Sequence, residues 1–249
     1  MYKSKKKYNI SILAIFKNET MNLKVWLDHY IWQGVDHFYL IDNNSTDNPL
    51  EILNNYKSII TYEKLDEPYK QVLYYKYMYK KYKINKNTKW LIMADLDEFW
   101  FCPNINENLK TKLNKCHKYV IYSNWLMFGS NGYINHPPDI RTALIKRNIN
   151  IHENTKWIIR AKKFKARHIS LHKVKHSKIN ANKVITDNTN FHLNHYPIQS
   201  KEFFDKVKKT RGDALNIDAK NVRDDNYFNE YNKNTDFVDN ILANLINSN

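Results

Sequence analysis

The sequence predicts an α/β fold whose first half pairs its strands in parallel. Two observations carry that prediction. Between Tyr8 and Trp100, short apolar runs of strand length alternate with stretches of helical spacing, the rhythm of a sheet crossed over by helices. Polar loops follow the first two strands, and an acidic run follows the Trp90 strand. All three would lie at one sheet edge, beyond the carboxyl ends of the strands, where ligands collect in open α/β sheets.

Taken in order, Tyr8 to Phe16 reads as a buried first strand. After the turn Lys17-Asn18-Glu19-Thr20, with Thr20 available as an N-cap, Leu23, Trp26, Leu27, Tyr30 and Ile31 recur at helical spacing. Gly34 stands where a helix C-terminus favours a left-handed residue. His37 to Ile41 forms a second strand and ends in the turn-forming run Asp42 to Asp47, before Pro49 opens another helix. Ile59 to Tyr62 suits a third strand, and Gln71 to Lys83 a helix with a packed, tyrosine-rich face. The second half is less regular. Tyr119 to Ser123, Trp157 to Arg160 and Phe191 to His195 are strand-like, and Lys201 to Lys209 carries a helical pattern through Phe203, Phe204 and Val207. Two of the chain's 4 glycines, Gly129 and Gly132, fall in one short loop, where backbone freedom or close approach to a ligand is wanted. In the tail, one amphipathic helix would carry Phe237, Ile241, Leu242, Leu245 and Ile246.

The chemistry centres on Trp90-Leu91-Ile92-Met93-Ala94-Asp95-Leu96-Asp97-Glu98-Phe99-Trp100. In an extended chain Asp95 and Asp97 share a face and Glu98 takes the other. Paired carboxylates repel unless a cation lies between them, and oxygen ligands suit Mg²⁺ or Mn²⁺. D-x-D is also a common tripeptide of solvated turns, so the neighbouring pattern has to carry the metal reading.

Composition sets the bounds. At 249 residues and 42% hydrophobic, the chain makes one large domain, or one with an appendage. No apolar run approaches the roughly 20 residues needed to cross a bilayer, and the basic N-terminus lacks a convincing signal sequence. Cys102 and Cys116 make neither a metal spacing nor a disulfide framework, which suggests free thiols in a reducing compartment. The formal net charge of +15 invites a nucleic-acid reading, yet no recognition helix, zinc finger or RNP motif is present. The wealth of Asn, Lys, Ile, Tyr and Phe, all with A/T-rich codons, explains the lysines more simply and fits a large DNA virus or an A/T-rich bacterium. A nucleotide diphosphate would suit the positive surface, and nucleic acid is the less favoured partner.

In order and spacing these pieces resemble a GT-A-type glycosyltransferase, and more narrowly glycosyltransferase family 92 and related family-2-like enzymes. The resemblance rests on Lys17-Asn18-Glu19, Trp26-Leu27-Asp28-His29-Tyr30 with Gly34-Val35, Asp42 to Asp47, and Asp95-Leu96-Asp97-Glu98-Phe99. It continues through Trp125, Phe128-Gly129-Ser130 and Gly132 to His195-Tyr196-Pro197, Ser200, Glu202-Phe203, Lys206 and Arg211-Gly212. It covers roughly residues 8 to 215, so that residues 216–249 form a helical extension packed on or trailing the domain. The resemblance implies a GT-A (Rossmann-like) mixed sheet flanked by helices, and transfer of a sugar from a nucleotide sugar, UDP-linked, to a glycan, glycoprotein or other hydroxyl acceptor, with inversion. It implies Asp95, Asp97 and His195 as ligands of Mn²⁺ or Mg²⁺. It further implies Asn18, Glu19, Asp42, Gln71, Asp95, Lys206 and Arg211 around the nucleotide. Gln199 stands where the family more often has lysine. An inverting enzyme also needs a base at the acceptor hydroxyl, and the sequence leaves Glu98, Asp139, Glu153 and Asp187 open for it.

Two other classes use some of the same features: a Mg²⁺-dependent nucleotidyltransferase, which usually adds a Gly-rich phosphate loop, and a basic polyanion-binding protein with a structural acidic cluster. For the transferase, the expected setting is cytoplasmic (host cytoplasm or virion, if viral). The oligomeric state is left open by the sequence.

Overall fold

The computed structural model describes residues 6–175, 179–210 and 223–248. Strand β1 (Tyr8–Phe16) leads into the helix Thr20–Trp32 and then β2 (His37–Asp42). That helix ends as its sequence predicts. Gly34 takes φ +85°, Val35 N donates to Tyr30 O (2.9 Å) and Gly34 N to Ile31 O (2.9 Å), which together make a Schellman closure. Its start departs from expectation. Thr20 does not act as a cap; Thr20 N and Oγ1 both donate to Asp47 Oδ2, at 2.9 and 2.8 Å, so the loop after β2 caps the helix. β3 (Ile60–Lys64), the helix Gln71–Lys81 and β4 (Thr88–Met93) complete the regular half.

Beyond it come β5 (Glu98–Phe101), β6 (Val120–Asn124), β7 (Leu126–Met127), β8 (Lys146–Arg147), β9 (Thr155–Arg160), β10 (Val184–Thr186), β11 (His192–His195) and β12 (Phe237–Val238). Seven strands make one mixed sheet in the order β10-β6-β9-β4-β1-β2-β3. β3, β2, β1 and β4 are mutually parallel, while β9 runs antiparallel between β4 and β6. Alternate residues of β1 and β4 feed two cores. Ile10, Ile12, Trp90 and Ile92 pack with Leu23, Trp26 and Leu27 of the first helix on one face. Leu13, Leu91 and Met93 pack with Tyr74, Tyr75, Met78 and Tyr79 on the other. Burial on both faces explains why these strands read as continuous apolar runs.

The tail differs from the single helix expected. Phe237 lies in β12, which pairs with β8, and the helices Asp225–Asn232 and Ile241–Asn247 flank it. Leu242 and Leu245 join the main core, and Arg147 Nε bridges Asp239 Oδ2 at 2.7 Å. Gly129 is explained here: a Cβ would stand 2.5 Å from Thr235 Oγ1, so the close approach is to the protein's own tail. No described helix is long and apolar enough to cross a membrane.

Candidate active site

The acidic stretch is a turn and not a continued strand. β4 ends at Met93, Glu98 N donates to Asp95 O (3.1 Å), and β5 begins at Glu98. The alternating-face placement of Asp95 and Asp97 therefore does not hold, because backbone bonding closes the chain on itself between them. One face of the first helix fixes this turn. Trp26 Nε1 donates to Asp95 O (2.9 Å), and Tyr30 Oη donates to Glu98 O (2.9 Å) while accepting from Trp100 N (3.1 Å). His29 Nε2 meets Trp100 O at 2.9 Å. A carbonyl only accepts, so Nε2 carries a hydrogen; burial, reinforced by Arg141, lowers the His29 pKa to about 3 and so keeps the ring neutral at pH 7.

A second, three-stranded sheet in the order β5-β11-β7 brings the remaining groups to the turn. His195 lies opposite Glu98 in one register and beside Met127 in the other, and Tyr196 N donates to Asp97 O (2.9 Å). One ligand atom from each of Asp97, Glu98 and His195 lies within 4.8 Å of the others. His195 Nδ1 is 3.3 Å from Met127 Sδ, its ring lies 4.3 Å from that of Trp125 at a tilt of 42°, and Nε2 stands 3.6 Å from Asp97 Oδ1, beyond hydrogen-bond length. Glu98 Oε2 accepts from Asp95 N (2.9 Å), but the buried Oε1 has no hydrogen bond and only a 3.4 Å approach from Lys156 Nζ. Two carboxylates and an imidazole with unspent donor atoms fit a divalent ion, and the nitrogen suits Mn²⁺ better than Mg²⁺.

Two buried lysines, both missed in the sequence, hold the carboxylates. Lys156 Nζ donates to Asp95 Oδ2 at 2.6 Å, and Lys208 Nζ to Asp97 Oδ2 at 2.5 Å. Burial alone would raise the Asp97 pKa, yet Lys208 and His195 outweigh it and hold the carboxyl well below its usual range. At Glu98 burial wins over Lys156 and lifts the carboxyl to about 8. Each lysine had a visible signal. Lys156 interrupts the buried strand Thr155–Arg160, and Lys208 extends the buried stripe Phe203, Phe204, Val207.

The other predicted residues separate into groups. Gln71 joins the site, donating to Asp95 Oδ1 at 3.3 Å. Asn18 laces the two polar loops together, its N–H on Ser45 Oγ (3.0 Å) and its Oδ1 accepting from Thr46 N (2.8 Å). Asp42 is buried and accepts from Ser45 N (2.7 Å) and Tyr62 Oη (2.7 Å), while Glu19 is buried at the helix start. Lys206 points to solvent and pairs with Glu202 at 2.7 Å. Arg211 lies outside the described residues. Among the candidate bases, Glu98 is fully buried, Asp139 caps its own turn and forks with Arg141, and Asp187 bonds Thr189 N and Asn190 N. Glu153 is exposed and follows His152, whose ring lies 5.5 Å from Trp125.

A family model described as Glycosyltransferase family 92 matches residues 6–238. The chain belongs to glycosyltransferase family 92. A search of curated proteins finds no match. Among solved structures, this family 92 chain is similar to the S. aureus TarS 1-349 crystal structure, with TM-score 0.45 and 14% identity over 80% of this chain and 63% of that one. The same protein in complex with UDP gives TM-score 0.44 at 14% identity over the same shares. The chain thus spans 63% of the length of those two structures.

Proposed function

We propose that the protein is a metal-dependent glycosyltransferase that moves a sugar from a nucleoside diphosphate donor, UDP-linked, to a hydroxyl of a glycan or glycoprotein, with inversion. The observation that carries the reading, in a family 92 chain, is the convergence of Asp97, Glu98 and His195 within 4.8 Å. The uridine and the inversion rest on the family resemblance. In this proposal Asp97, Glu98 and His195 hold Mn²⁺, which when bound supplies positive charge against the departing diphosphate. Of the two tasks the resemblance gave Asp95, metal and nucleotide, the residue keeps the second. Its carboxylate, 32% exposed and braced by Lys156 and Gln71, faces the nucleotide's ribose and leaves the ion to its neighbours. Asn18 and Glu19 border the base, and Asp42 supports their loop from beneath.

For the acceptor proton the proposal assigns Glu153, the candidate carboxylate that is exposed and not committed to capping or to an ion pair. The experiment is release of free nucleoside diphosphate from a panel of sugar nucleotides, with Mn²⁺ or with EDTA. Turnover of one donor is expected with Mn²⁺ alone, abolished in Asp97→Ala and lowered on the order of 10²-fold or more in Glu153→Gln, with UDP affinity unchanged in the second variant. Turnover that survives both EDTA and Asp97→Ala would rule out the metal reading. Absence of binding of any nucleoside diphosphate with Mn²⁺ present would rule out the transferase reading itself.

A further inference from the structure

The two buried lysines set a charge balance that has a consequence for ligand binding. Asp95 and Asp97 each face one buried ammonium, Lys156 and Lys208 respectively, so these two pairs carry no net charge. A divalent ion entering alone would turn that into an excess positive charge inside a site where Lys156 is 1% and Lys208 3% exposed. Like charges in such a setting repel strongly. A diphosphate supplies the missing negative charge.

The carriers of the two lysines differ in how they can respond. Lys156 is fixed by a strand bonded on both sides. Lys208 closes a π-helical stretch, Phe204–Lys208, marked by the long-step bond from Lys209 N to Phe204 O (2.9 Å). Such single wide turns inside helices are rare and recur at functional sites. Lys208 Nζ occupies Asp97 Oδ2, while Oδ1 faces His195. Full use of the Asp97 carboxylate by an ion requires that Lys208 find another anion.

We propose that Lys208 is a resident counter-ion of Asp97 that transfers to the donor diphosphate, so that the divalent ion and the nucleotide enter together and each binds poorly alone. This inference rests on the function proposed above. It makes Lys208 a positioning residue whose salt bridge in the free protein holds the place of the metal.

The test is calorimetric titration of Mn²⁺ with and without UDP, and of UDP with and without Mn²⁺, corrected for the Mn²⁺–UDP complex formed in solution. In the wild-type protein saturating UDP should tighten Mn²⁺ binding by roughly tenfold or more, and Mn²⁺ should tighten UDP by the same factor. Lys208→Met should bind Mn²⁺ alone roughly tenfold more tightly than wild type, with the mutual enhancement reduced to less than about threefold. Lys208→Gln removes the charge but keeps a donor for Asp97, and should behave the same way. If Lys208→Met fails to fold, the glutamine variant decides. Wild-type Mn²⁺ and UDP binding that are independent of one another, or a neutral variant that retains the wild-type enhancement, would overturn the role of Lys208 and leave the transferase reading standing. Failure of the wild-type protein to bind either ligand in any combination would overturn both.

Discussion

The acidic turn is gripped from two regions that use the same kind of ion pair, lysine to aspartate, in different ways. In the sheet, Lys156 reaches Asp95 at 2.6 Å; in the helix after Ser200, Lys208 reaches Asp97 at 2.5 Å. Both ammoniums are buried. The sheet grip is shared, since Lys156 also stands 3.4 Å from Glu98 and its pKa is raised despite burial by Asp95 and Glu98 together. The helix grip is a single pair at the end of a π-helical stretch. A buried ion pair is weak proof of stabilisation, because desolvation offsets the attraction, but breaking one leaves a buried charge without a partner. The cost of that break should therefore separate a structural lysine from an exchangeable one.

The largest expected effect is at Lys156. Lys156→Met leaves Asp95 and the buried Glu98 without their shared cation and should cost about 3–5 kcal/mol, read as a fall in the denaturant midpoint. Lys208→Met should cost less, about 1.5–3 kcal/mol, because one carboxylate is left rather than two and Asp97 retains His195 beside it, 3.6 Å from Oδ1. Equal losses would mean that both lysines are structural and would remove the distinction between the two grips.

Acid offers a way to sharpen the comparison through a third hold on the same turn, the neutral clamp from the first helix. His29 titrates at about 3 in the folded protein because of its burial and the nearby Arg141, against about 6.5 in an unfolded chain. Protonation therefore favours the unfolded state. The His29 contribution is complete above pH 6.5 and falls away as pH drops toward 3, by about 2 kcal/mol at pH 5. Asp97, held low by Lys208 and His195 against the opposing effect of burial, loses its contribution only at lower pH. Denaturant midpoints at pH 7 and pH 5 should differ less in His29→Gln than in wild type. An unchanged difference would show that the clamp is not what acid loosens.

Much of the first half was legible because its signals are local. Continuous apolar runs gave the parallel strands, Gly34 gave the helix end, and Gln71 and the acidic run gave residues that do converge. The D-x-D face assignment failed because a hydrogen-bonded turn cannot be told from strand continuation by apolar spacing alone. The remainder depends on contacts distant in sequence. His195 meets Glu98 through the β5–β11 register, and Asp47 caps a helix 27 residues away. The lysines were visible only as polar interruptions of buried patterns, which mean little until the carboxylates opposite them are known. In a chain with 40 Lys and Arg residues, such interruptions are masked by composition.

The smallest expected effect compares two lysines two residues apart. Lys206 and Lys208 share a helix, yet Lys206 is 65% exposed and pairs with Glu202 on the solvent side, while Lys208 is 4% exposed at the side chain and pairs with Asp97. An exposed pair four residues apart on a helix contributes little, since water screens it and two long side chains must be ordered to form it. Lys206→Ala should change stability by less than about 0.5 kcal/mol and leave Mn²⁺ affinity as in wild type. Its effect on UDP affinity is the informative number. No change would mean that the diphosphate is met from the buried face of this helix, through Lys208. A loss comparable to that of Lys208→Met would mean that the helix turns its exposed face to the nucleotide on binding, so that burial in the free protein does not decide which cation the donor meets.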